Sequence, residues 1–298
     1  MERRKFIKGL FLASAGGIGW GISGVCGQYL FMEYHMDSAW LTAVRMVLSG
    51  ILLLLPALMK KKHLTFQILR SRKDFLWLLA FALIGLLMCQ YTFLDAIRYS
   101  NSATATVLQS LNVVIMSLVM AIWNRRPLRR LQTLSVLLAI LGTYLIATGG
   151  DFRSMKISGM GLFLGIMAAA GVVTYTLLSR PIIEKWGNTV VTGWGMLIGG
   201  IVLFASIRAW NFPSNLDAMA WLMIVIIVVI GTAGGFSLFL EGVKYIGPVK
   251  ATLIGCLEPA SATLLSALFL RTRFSLMELI GFIAIILTVF LAMTGKDA

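Results

Sequence analysis

The sequence predicts an all-α polytopic membrane protein: ten transmembrane helices arranged as two inverted five-helix repeats around a central cavity. Three observations predict it. Of 298 residues, 59% are hydrophobic and 13% charged, with mean hydropathy +0.89; a soluble domain carries about 45–50% and about 25%. The charges fall in short clusters between long uncharged apolar stretches. The second half of the chain also repeats the first in register. Together these exclude a soluble enzyme, a disordered chain and a fibrous one.

In chain order the stretches are residues 9–32, 40–59 (interrupted by Arg45), 75–94, 99–124 and 131–150. Then come 157–179, 186–207, 218–240, 251–270 (interrupted by Glu258) and 279–295. About 20 apolar residues cross the hydrocarbon core as a helix, and each stretch meets or approaches that length. Helix is required because lipid offers the backbone no partners, and the alternation of a barrel strand is missing. The opening Glu2-Arg3-Arg4-Lys5-Phe6-Ile7-Lys8 imitates a twin-arginine export signal, and Ala13-Ser14-Ala15 a cleavage site. The apolar run to Met32 is too long for a signal-peptide core, so this segment is expected to be the first span. Short connectors leave no room for an extramembrane domain.

The formal net charge is +14, from 26 Lys and Arg against 12 Asp and Glu. With a cytoplasmic N-terminus, the inside segments hold 19 Lys and Arg and the outside segments 6, with Arg45 left inside a span. This asymmetry predicts a multi-pass cell-membrane protein with both termini in the cytoplasm. The basic clusters are loop anchors spread along the chain, so the partner they imply is the lipid bilayer and not nucleic acid.

A shift of 146 residues aligns 75–150 with 221–296 without a gap. Phe93-Leu94-Asp95 meets Phe239-Leu240-Glu241, Ala105-Thr106 meets Ala251-Thr252, and Arg125 meets Arg271. Shifts of 150 and 152 align Thr42 with Thr192 and Gly9-Leu10-Phe11-Leu12 with Gly161-Leu162-Phe163-Leu164. Each copy, residues 1–150 and 157–298, holds five helices. An odd number turns the second copy upside down. Inverted repeats place a binding site at their midplane interface and rock around it, as transporters do.

Several residues carry a more specific resemblance: the run Phe239-Leu240-Glu241-Gly242-Val243-Lys244-Tyr245, then Ala251-Thr252-Leu253-Ile254 and Leu257-Glu258-Pro259, with Gly281 and Arg45. They resemble the EamA family of the drug/metabolite transporter superfamily, over nearly the whole chain. That resemblance implies a ten-helix basket with a central cavity, exporting small metabolites or amino acids. Asn124-Arg125 and Leu270-Arg271 stand where the family often has a glutamate.

Glu258 is the sharpest candidate for substrate binding. It lies ten residues past Pro248, about 15 Å into the membrane, where a carboxylate must face a cavity, bind a cation or take a proton. Pro259 frees the carbonyl of Gly255. The repeat mate of Glu258 is Asn112, with Gln109 one turn earlier; both could bind substrate or glue helices. Trp20, Gln90, Tyr91, Tyr175 and Trp194 are polar or amphipathic groups away from span ends, suited to a metabolite cavity. For Arg45 snorkelling to the interface is the expectation, with a carboxylate clamp or partnership with Glu258 as the functional alternative. Asp95 and Glu241 are expected to pair locally with Arg98 and Lys244.

These residues point to a secondary transporter of small organic solutes, most simply an exporter of amino acids or related metabolites. The expected partners are a small-molecule substrate and, through Glu258, protons as a coupling ion. No cofactor is implied: Cys26, Cys89 and Cys256 lie in separate spans, and no Walker motif is present. The rivals are a drug or organic-cation efflux transporter and, less well supported, a membrane-embedded enzyme. An enzyme needs acids, bases or ligands clustered near one interface, whereas His35 and His63 fall in loops on opposite sides.

Overall fold

The computed structural model describes residues 2–125, 127, 128, 130–151, 156–211, 213, 216–247, 251 and 254–294. Arg126, Arg129, Arg153, Lys250 and Lys296 of the charge count, Pro248, and Thr252-Leu253 of the family motif lie outside these residues. Among the described residues every regular element is helical. The helices are α1 (Glu2–Glu33), α2 (Ser38–Arg70), α3 (Arg72–Tyr99), α4 (Ser102–Trp123) and α5 (Arg130–Thr148). They continue as α6 (Gly159–Trp186), α7 (Asn188–Ser206), α8 (Ala218–Ile246), α9 (Leu257–Phe269) and α10 (Leu276–Thr294). The first eight contain stretches long and apolar enough to cross a membrane, and the last two are shorter apolar helices.

Starts are set by side-chain caps. Asp37, Ser71, Asn101, Ser158 and Asp217 each accept a backbone N–H from the first turn of α2, α3, α4, α6 and α8, satisfying donors a helix leaves open. Helix α2 outruns its apolar stretch and stays helical through Lys60-Lys61-Lys62 to Arg70. Helix α1 runs unbroken through Ala13-Ser14-Ala15, and Ala13 is fully buried against Gly242 of α8. The stretch that imitates a cleavage site is thus packed in the bundle, while the basic residues Arg3 to Lys8 before it are exposed.

The two halves share irregularities in the register read from the sequence. A π-helical segment interrupts α3 at Phe81–Leu87 and α8 at Ile227–Gly234. Helix α4 breaks at Ser110 and Leu111, and Cys256 breaks the helical turn before α9. Arg125 and Arg271, 146 apart, both take left-handed backbone (φ 51° and 53°) just past α4 and α9. The halves interleave: α1 packs on α8 and α9, α6 on α3 and α4, α2 on α7, and α5 on α10.

Each half also repeats a clamp. Tyr34, just past α1, donates to the capping carboxylate Asp217 at 2.6 Å. Trp186, the last residue of α6 and 152 positions later, donates to Asp74 in the first turn of α3 at 3.1 Å, beside Lys185 at 2.5 Å. The pairing of Glu241 with Lys244 forms as expected, at 2.5 Å. That of Asp95 with Arg98 does not: Asp95 accepts from Ser38 Oγ at 2.6 Å, and Arg98 pairs with Asp37 at 3.7 Å. The burial of Asp95 explains the exchange, since the Ser38 hydroxyl reaches it inside the bundle while Arg98 stays half exposed.

Two stability predictions follow from this packing. A Cβ added at Gly16 would lie 2.8 Å from the carbonyl oxygen of Gly235 and the amide nitrogen of Phe239, whereas one at Gly159 meets nothing within 4 Å. Gly16→Ala should therefore cost about 1–3 kcal/mol by overpacking and lower Tm in detergent, while Gly159→Ala leaves Tm unchanged or higher; equal effects would contradict the packing. The Tyr34 hydrogen bond, then the Ala220 amide, hold the Asp217 carboxyl below its usual range. Its stabilisation is complete above the ordinary value of about 3.9 and is lost as pH falls through the lowered folded value. Asp217→Asn should flatten the acid limb of a Tm-against-pH curve.

Candidate functional site

The irregular backbone converges on one small cavity of about 90 Å³ at the junction of the halves. The first half contributes Trp20, Ser23, Arg45, Cys89, Gln90, Phe93 and Gln109; the second contributes Val172, Tyr175, Gly231, Thr232, Phe236 and Glu258. Repeat mates stand on both sides: Trp20 with Val172, Ser23 with Tyr175, and Gln90 with Phe236. The π segment of α8 supplies Gly231 and Thr232, and Thr232 Oγ1 donates to the carbonyl of Ile227, five residues back. Such bulges recur at functional sites because they re-aim the following side chains.

Glu258 stands in the first turn of α9, immediately past the Cys256 break, where the helix dipole favours negative charge. Pro259 has no N–H to give to Gly255, which accounts for the break. Helix α1 reaches this point only because position 21 is glycine: a Cβ there would sit 2.8 Å from the Glu258 carbonyl oxygen. The break in α4 has another cause. Thr106 and Ser110 donate their hydroxyls to the carbonyls of Ser102 and Thr106 four residues back, at 3.0 Å each, a pattern that bends helices. Asn112 Nδ2 then donates to the freed carbonyl of Gln109 at 2.7 Å.

Six of the nine residues expected from the sequence line the cavity: Glu258, Gln109, Trp20, Gln90, Tyr175 and Arg45. Asn112 does not line it; its amide is used at the break in its own helix. Tyr91 does not either, because it lies about 100° round the helix from Gln90. Trp194 packs elsewhere, donating to the carbonyl of Thr65 at 2.9 Å. The expectation that Arg45 snorkels is overturned. Its side chain is 4% exposed and donates from Nη2 to Gln90 Oε1, because Gln90 of α3 offers an acceptor inside the bundle. Sequence reasoning missed Ser23, although it stands three residues after Trp20 and so on the same helix face.

Trp20 meets Phe236 edge-on at 5.3 Å and Phe239 at 4.9 Å between ring centroids, and Tyr175 meets Phe81 at 6.4 Å. Trp20, Phe236 and Tyr175 line the cavity, and Phe239 and Phe81 pack against them. Among the described residues no N···O approach of 4.0 Å or less joins Arg45 to Glu258, so a guanidinium and a carboxyl group line one space without closing on each other. A larger groove of about 710 Å³ runs between α4, α5 and α6, but apart from Thr143, Tyr144 and Thr148 its lining is apolar. It has no charged lining residue. Among the described residues no group of three His, Cys, Asp or Glu could hold a metal.

The profile of the EamA-like transporter family matches residues 7–148 and again residues 159–294. This chain belongs to that family. It is similar to the Salmonella typhimurium protein named "Uncharacterized inner membrane transporter YicL", 37% identical over 284 residues that cover 95% of this chain and 94% of that one. It is also similar to "Uncharacterized transporter YyaM" of Bacillus subtilis, 23% identical over 264 residues, covering 86% and 83%. A protein crystal structure superposes with TM-score 0.59 at 16% identity, covering 98% of this chain and 96% of that one; it shows the shared fold.

In this EamA-like transporter the two amides at the α4 break separate by role. Asn112→Ala, which removes one hydrogen bond away from the cavity, should cost about 0.5–1.5 kcal/mol of stability and leave substrate affinity unchanged. Gln109→Ala, which removes a cavity-lining amide that donates to the weak acceptor Cys89 Sγ at 3.5 Å, should change affinity with a smaller loss of Tm than Asn112→Ala. Thermal melts and transport assays on both variants check this, and loss of affinity in the Asn112 variant alone would reverse the assignment.

Proposed function

We propose that this EamA-like transporter is a secondary transporter of the cytoplasmic membrane that exports small organic solutes, amino acids or related metabolites, by alternating access. The observation that carries this reading is the cavity: walled by both halves, it holds Arg45 and Glu258 facing one space. In the proposed arrangement the segments 1–150 and 157–298 are inverted repeats that rock around that space. At about 90 Å³ it is far smaller than the roughly 300–1,000 Å³ of ligand pockets, which fits an occluded state that must open to load.

A hydrogen-bonded knot fits closure at one end. Gln28 Oε1 accepts from the Ser102 amide at 2.9 Å and from Ser266 Oγ at 3.3 Å, while Nε2 donates to Thr272 at 3.2 Å. Ser102 and Ser266 are joined at 2.7 Å. With both termini cytoplasmic, this knot of α1, α4 and α9 is the outer gate. Glu258 would hold the proton or the ammonium group of the substrate, coupling its charge to the conformational change.

The test is efflux of amino acids from preloaded proteoliposomes, with and without a pH gradient. Glu258→Gln keeps size and shape but cannot ionise. It should fold with the wild-type Tm and lose at least about tenfold in initial rate, with the pH-gradient dependence abolished. Wild-type flux in this variant would remove Glu258 from the mechanism.

A further inference from the structure

Two buried polar atoms of the cavity lining have no partner. Arg45 Nε and Ser23 Oγ are both without a hydrogen bond, and each residue is 4% exposed. An unmade hydrogen bond in so dry a place is costly, and most of all for a cation. The guanidinium is anchored through Nη2, which donates to Gln90 Oε1. Ser23 packs against Gly231 of α8, where a Cβ would lie 2.2 Å from Ser23 Cβ and 2.5 Å from its Oγ, so only glycine leaves room for the hydroxyl at this wall of the cavity. The other hydroxyl donor of the lining on this side, Thr232, is already spent on the Ile227 carbonyl.

We infer that Arg45 and Ser23 form an anion subsite that receives a carboxylate of the substrate, opposite Glu258, so that the cavity selects ligands carrying both a carboxylate and an ammonium group. This rests on the transport reading above. A planar carboxylate matches an arginine fork and a hydroxyl donor, and it satisfies both orphan groups at once. A dianion such as phosphate fits poorly, because Glu258 faces the same small space and repels the second charge. A simple organic cation satisfies Glu258 and the rings of Trp20 and Phe236 but leaves Arg45 unpaired and beside another positive charge. Gln90 is then a positioning residue that acts through Arg45.

The experiment uses the full chain, purified and reconstituted. Thermal shift and efflux are measured with the proteinogenic amino acids and with the matched decarboxylated amine and deaminated acid of each. At least one amino acid should raise Tm by mass action and be transported, while its amine does neither. Ser23→Ala should weaken that affinity by roughly ten- to hundredfold, the range for one hydrogen bond to a charged group. Arg45→Met, which exchanges the buried charge for an apolar chain of similar length, should abolish the response at unchanged or higher Tm. If that variant fails to fold, Ser23→Ala decides alone. Wild-type affinity in Ser23→Ala overturns the anion subsite. So does flux of the amines that both variants leave intact, although that outcome leaves transport and the role of Glu258 standing. No shift and no flux with any of the three classes in the wild type overturns both readings together.

Discussion

Hydrocarbon gives a peptide group nothing to bond to, and the irregular backbone of this protein is arranged around that constraint. The breaks at Ser110–Leu111 and Cys256 and the π segments of α3 and α8 lie where other helices cover them. Two carbonyls at these irregularities are used locally: Asn112 takes that of Gln109 and Thr232 that of Ile227. Irregularity confined to the interior makes an interior cavity. The same requirement explains why glycine recurs on α1, where Gly16 and Gly21 let its backbone lie against α8 and α9 with no side chain between.

On this paired frame the chemistry is unpaired. Trp20 and Val172, Ser23 and Tyr175, and Gln90 and Phe236 correspond in position while differing in polarity. The contrast is sharpest at the charges. The repeat mate of Glu258 is Asn112, which is absorbed in its own helix, and that of Arg45 is Gly195, which packs against Phe81. Equivalent packing in the two halves is what a rocking motion needs. A cavity with one acid and one base, each without a counterpart in the other half, is what orienting a ligand needs.

Much of the fold is legible in the sequence because a membrane imposes a coarse rule: long apolar stretches, bounded by charges, become helices. The internal shift of 146 residues reappears in the structure as matching π segments, helix breaks and left-handed arginines. The site was legible where a residue broke the apolar rule outright, as Glu258, Arg45, Gln90 and Gln109 do. It was not legible where the residue is ordinary in a membrane helix. Ser23 is one small hydroxyl among many, most of which bond back to their own helix, and that it stays unbonded against Gly231 shows only in the fold. The α4 break carries no proline or glycine, and its cause, successive hydroxyl-to-carbonyl bonds, shows only in coordinates.

The sequence by itself determined the helical class, the apolar spans, the internal repetition and the presence of a few costly polar groups within them, since each follows from composition and order along one chain. Only the tertiary structure decided which faces of those helices meet. Lipid tails are as apolar as leucine, so a membrane helix need not mark its protein-facing side with hydrophobicity. Arg45 could equally reach for the interface or for an acceptor within. The approach of α3, carrying Gln90, turns it inward, into the cavity that Ser23 and Glu258 also line.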